Sequence, residues 1–76
     1  MKGINQELGI NIRELRTKKG WTQEQFALKA GFHRAYIGQI ERGEKNIGIR
    51  NLYKIAKVLN ISVHKILPSI EGDNKN

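Results

Sequence analysis

Residues 22–43 read TQEQFALKAGFHRAYIGQIERG and carry Arg34, Gln39 and Arg42 in quick succession. These side chains form paired hydrogen bonds. A guanidinium fork matches two neighbouring acceptors, such as O6 and N7 of guanine, and a carboxamide can both donate to and accept from adenine. Net charge is +7, from 14 Lys and Arg against 7 Asp and Glu. That surplus directs the chemistry toward a polyanion, nucleic acid first and an anionic membrane surface second. Each residue also has an ordinary reading. Arg34 can hold a phosphate or a water shell, Gln39 can face a partner chain, and Arg42 can cap a helix C-terminus. Ala35 can meet a thymine methyl and is equally a plain helix former. Gly38 stands out, because glycine inside a helix costs about 1 kcal/mol relative to alanine. Close approach to a duplex explains it, and so does drift at an unimportant position.

Catalysis finds no support. His33 and His64 lie far apart with no metal-like partner spacing, and no phosphate-binding glycine loop, nucleophile elbow or carboxylate pair appears. No cofactor, metal or small-molecule ligand is expected.

The elements that must position these residues are helical. Leu8, Ile12 and Leu15 recur at helical spacing and predict a helix over about 5–19, stopped at Gly20 after Lys18 and Lys19. Thr22 with Gln25 forms a capping box that opens a second helix over about 23–30, with Phe26, Ala27 and Ala30 inward and Gly31 at its end. A third runs over about 34–42, with Ile37 and Ile40 inward and Gly43 as its stop. After a loop at 46–48, a fourth over about 49–59 buries Leu52, Ile55, Ala56 and Leu59. Ser62 caps a fifth over about 63–67, which Pro68 terminates. A small residue at Ala27, a turn glycine at Gly31 and the apolar pair Ile37 and Ile40 are the pattern of two helices crossing steeply through a tight turn, a helix-turn-helix.

The segments TQEQFALKAG and YIGQIERGEKNI resemble the lambda-repressor-like (Cro/CI, XRE) helix-turn-helix family over roughly residues 10–67. Within it, HRAYIGQIERGEKNI is most similar to the controller proteins of restriction–modification systems. The resemblance implies a five-helix, all-α domain that works as a two-fold dimer with its third helix in the major groove of double-stranded DNA. It implies base contacts from Arg34, Ala35, Gly38, Gln39 and Arg42, where a family member often has a polar residue in place of Gly38. Gln23 is implied to hydrogen-bond a phosphate from the helix N-terminus, with Tyr36, Lys45 and Asn46 also against the backbone. Gln23 is otherwise a common first-turn residue, and Tyr36 a half-buried packing aromatic. The family also pairs the residues matching Arg16 and Glu41 in a salt bridge that orients the third helix. Trp21 and Phe32 read as packing residues, and Arg50 and Lys54 extend the basic rim or solvate the fourth helix.

The chain has 76 residues and no cysteine, so one domain at 1–68 with a modest core is expected, followed by a flexible tail at 69–76. Ile61, Val63, Ile66 and Leu67 exceed what so small a monomer needs, and are expected to meet a second copy or to close the internal core. The N-terminus has no long apolar run, so neither signal peptide nor membrane span is read there, and the expected location is cytoplasmic. The leading function is a sequence-specific transcriptional regulator. RNA polymerase is a candidate further partner through Glu41 or Glu44. The alternative is a protein-binding module, an antitoxin or adaptor, which would need no cationic strip on the third helix. RNA binding lacks interleaved aromatics.

Overall fold

A computed structural model describes residues 3–68; the expected tail at 69–76 lies outside them. Four α-helices follow in order: α1 (Ile4–Lys18), α2 (Gln23–Ala30), α3 (Arg34–Glu41) and α4 (Ile49–Leu59). Among the described residues there is no strand. The fifth helix expected over 63–67 is instead a single 3-10 turn, Val63–Lys65. Ser62 accepts from the His64 N–H at 3.1 Å and starts the turn. Leu67 directly precedes Pro68, whose ring disfavours the α conformation there, so the turn does not propagate.

The helix ends follow from local chemistry. Thr22 accepts from the Gln25 N–H at 3.0 Å while the Gln25 side chain accepts from the Thr22 N–H at 2.9 Å, so two orphan donors are satisfied at the start of α2. At the end of α3, Gly43 takes φ +74°. Its N–H bonds Ile40 at 3.0 Å and the Glu44 N–H bonds Gln39 at 2.9 Å, a Schellman motif that fixes the residue after the glycine. Asn60 closes α4 in the same left-handed region with φ 59°.

The core gathers Leu8, Ile12, Phe26, Ala27, Ile37, Ile40, Leu52, Ile55, Ala56, Leu59 and Ile66. Ile37 and Ile40 pin α3 against α1 and α2. A Cβ placed on Gly9 of α1 would lie 2.4 Å from the Ile40 carbonyl oxygen and 2.6 Å from that of Glu41, so α1 meets the backbone of α3 with no side chain between them. Asn11 Nδ2 donates to the Ile66 carbonyl at 2.8 Å and ties the final turn back onto α1.

Candidate nucleic-acid interface

With Ile37 and Ile40 inward, α3 turns Arg34, Ala35 and Arg42 to solvent, with Gln39 half-exposed beside them. Gly38 is on the same side but is buried, because the Arg42 side chain folds across it. Arg42 Nη1 would stand 3.1 Å from a Cβ on that glycine. Arg42 Nε and Nη2 donate to the two carboxylate oxygens of Glu44 at 2.8 and 3.1 Å. The hydrogen bond from Arg42 holds the Glu44 carboxyl below its usual range, and Glu44 in turn raises the Arg42 guanidinium.

Beneath this edge lies a buried polar cluster. Arg16 Nε and Nη2 donate to Glu41 at 2.6 and 3.1 Å, and Arg16 Nη1 donates to the Trp21 carbonyl at 2.6 Å. Gln23 Nε2 donates to Glu41 at 3.0 Å. The Glu41 carboxylate at the end of α3 therefore joins α1 to the first residue of α2, and Arg16 adds the turn before α2 through the Trp21 carbonyl. Burial makes this costly unless every group is paired, and among the described residues no buried side-chain polar atom lacks a partner. Glu41 is 7% exposed and, contrary to the expectation from sequence, has no surface to offer RNA polymerase: its carboxylate is spent inside the fold.

The residues implied to meet phosphate are all at least partly exposed. Gln23 keeps a second amide N–H beyond the one given to Glu41. The Tyr36 hydroxyl accepts from Asn51 Nδ2 at 2.9 Å, which leaves its own proton free to donate, and its ring packs edge-on to Phe32 at 5.0 Å. Lys45 is exposed, and exposed Asn46 accepts from Asn5 Nδ2 at 2.6 Å. Asn5 and Asn51 escaped the sequence reading. Each lies on another helix, remote in sequence from the residue it steadies, and carries no local signal. Trp21 packs on Phe26 at 6.1 Å with Lys29 Nζ over its ring at 4.9 Å.

Of the four residues expected at a partner chain, Ile66 is fully buried within the protomer and has no surface to give. It belongs to the core of its own protomer, and Asn11 of α1 donates to its carbonyl. Ile61 and Val63 are partly exposed and Leu67 is 41% exposed. Ile61 and Val63 line a cavity of about 500 Å³ with Tyr53, Ala56, Lys57, Ser62 and His64.

A family model described as helix-turn-helix matches residues 12–66. The control protein C.SmaI of Serratia marcescens is 44% identical over 64 residues, spanning 84% of this chain and 76% of that protein. The crystal structure of the restriction–modification controller protein C.AhdI from Aeromonas hydrophila superposes with a TM-score of 0.79 at 39% identity, over 82% of this chain and 94% of that one. SinR, the master regulator of biofilm formation crystallised in complex with DNA, superposes with a TM-score of 0.74 at 37% identity, over 78% of this chain and 95% of that one. With α2 and α3 packed together across the turn at Gly31, with Arg34 and Arg42 exposed, and with these relatives, the chain belongs to the XRE-type (Cro/CI-like) helix-turn-helix family, whose members are DNA-binding transcriptional regulators and not enzymes.

Proposed function

We propose that this regulator acts as a homodimer on a pseudo-palindromic operator in the cytoplasm, with α3 of each copy in the major groove. One observation carries the reading. Arg34, Ala35, Gln39 and Arg42 form the solvent-facing edge of a helix whose opposite side is locked into the core by Ile37, Ile40 and Glu41. A rigid mount matters because base readout needs donors held to a fraction of an ångström. Gln23, Tyr36, Lys45 and Asn46 flank that edge and set register on the phosphates. Their contacts carry affinity common to all sequences, whereas Arg34 discriminates through its fork to guanine.

Ile61, Val63 and Leu67 supply the contact between copies. The dimer places half-sites about 34 Å apart, one turn of duplex. No helix among the described residues is long and apolar enough to cross a membrane. Output then depends on protein concentration and operator placement.

Selection of bound fragments from neighbouring genomic DNA, at stated salt, tests the whole reading: enrichment of a two-fold motif supports it, and no enrichment ends it. Arg34→Ala lowers specific binding by about 1–3 kcal/mol and relaxes preference at one base pair. Gln23→Ala weakens every duplex alike. Equal losses on all duplexes for Arg34→Ala would remove its base-reading role.

A further inference from the structure

We propose that Glu44 is a positioning residue for base recognition, steering Arg42 along a track that Gly38 leaves open. The inference rests on the reading of α3 as the helix that enters the groove.

Three observations meet here. First, the Glu44 backbone is fixed by the Schellman motif at the end of α3, where its N–H bonds the Gln39 carbonyl at 2.9 Å. Its carboxylate is therefore delivered by rigid backbone and not by a wandering loop. Second, that carboxylate takes the Nε and Nη2 donors of Arg42, the side edge of the guanidinium. The other edge, made of Nη1 and the second N–H of Nη2, has no hydrogen-bond partner among the described residues. It is itself a two-donor fork of the kind that fits O6 and N7 of guanine. Third, Nη1 lies over Gly38 at the distance a Cβ there would contest. The missing side chain lets the guanidinium lie flat on the helix. The glycine that looks like a loss of helix stability is the space Arg42 occupies.

An unsteered arginine at the end of a recognition helix samples many rotamers, and most of them point at phosphates. Holding one edge on a carboxylate removes those rotamers and offsets a charge that would otherwise favour any duplex. Glu44 thus trades general affinity for discrimination at one base pair.

The test uses the full chain and a randomised duplex pool from which the wild-type protein selects its preferred sequence. Failure of the wild type to enrich any motif defeats the underlying reading of α3, independently of Glu44. Given a motif, the positioning role expects Glu44→Gln to lower the matched-to-mismatched affinity ratio at one base pair per half-site by about two- to fivefold, the scale of an exposed ion pair. Affinity for mismatched duplex rises as a negative charge is lost. Arg42→Ala abolishes preference at that same pair, and adding Glu44→Gln to it changes the preference no further. Gly38→Ala lowers the same ratio while raising the thermal midpoint, which separates it from a folding defect. A uniform rise on matched and mismatched duplexes for Glu44→Gln, with the base preference intact, would overturn the proposal. So would an unaltered preference profile in Gly38→Ala.

Discussion

Two arginine–glutamate pairs sit within one helix of each other and share nearly the same geometry. Arg16 meets Glu41 at 2.6 and 3.1 Å, and Arg42 meets Glu44 at 2.8 and 3.1 Å. Their surroundings differ. The side chains of the first pair are 10% and 3% exposed, those of the second 59% and 52%. The inner pair is stripped of water and cannot be broken without stranding a charge, so it acts as a fixed joint between α1 and α3. The outer pair competes with water and can yield to a ligand. One bonding pattern thus serves, at the same end of α3, as a lock on the buried side and as an adjustable guide on the exposed side, and burial decides which.

Breaking the lock has the largest expected effect. Glu41→Ala leaves Arg16 charged and buried and takes away the acceptor for Gln23. The expected loss is about 3–5 kcal/mol, a large share of what a small domain possesses. Replacing both partners, as in Arg16→Met with Glu41→Leu, costs far less because nothing is stranded. Urea unfolding of the two variants checks this. A single variant as stable as the double one would mean the inner pair is as wet as the outer.

The glycines beside the two pairs sharpen the same contrast. Gly9 seats α1 against the carbonyls of Ile40 and Glu41, so Gly9→Ala drives a methyl into backbone at 2.4 Å. The gain in helix propensity is overwhelmed, and a net loss of about 1–3 kcal/mol is expected. Gly38→Ala meets only the far end of Arg42, which can move, so that variant gains about 1 kcal/mol from propensity alone. Thermal melts of the two proteins should shift in opposite directions. Shifts of the same sign would show that the joint at Gly9 can relax or that Gly38 is more crowded than its neighbours imply.

These pairs also mark where the sequence stops being informative. Thr22, Gln25, Gly31 and the Ile37/Ile40 spacing are local signals, and they specify α2, the turn and the inward face of α3 without any coordinates. Boundaries at α1 and α3 differ by a residue, as frayed ends do. At the final turn Ser62 and Pro68 announce a start and a stop, and the 3-10 turn Val63–Lys65 stands where the pattern predicts an α-helix, because too few residues lie between them. Gly9 gives no local signal, because an isolated glycine on an apolar stripe looks the same whether the neighbouring helix is near or distant. Its role depends on α3, which lies far along the chain. The Arg42 and Glu44 pair escaped for another reason. Residues two apart do not face each other on a helix, and only the reversal at Gly43, with its positive φ, turns Glu44 back to Arg42. Gly38 was read as an anomaly by propensity, which weighs the helix alone and not the arginine lying across it.

The smallest expected effect belongs to the outer pair and is a matter of pH. The hydrogen bond from Arg42, opposed by desolvation and aided by the weaker Coulomb attraction, holds the Glu44 carboxyl below its usual range. A group depressed in the folded state contributes stability that is fully present above its unfolded pKa, about 4.3 for glutamate. That contribution fades as pH falls through the lowered folded value. The stability difference between the wild type and Glu44→Gln should therefore be flat near neutrality and shrink on acidification below that range. The side-chain carboxyl resonance of Glu44 gives the direct reading. Its titration midpoint should move up toward the ordinary glutamate value in Arg42→Ala, and it should also move up with added salt, which screens an exposed pair and leaves a buried one nearly untouched. A midpoint already ordinary in the wild type would mean that Arg42 roams free in solution, and the distinction between lock and guide would then reduce to a lock alone.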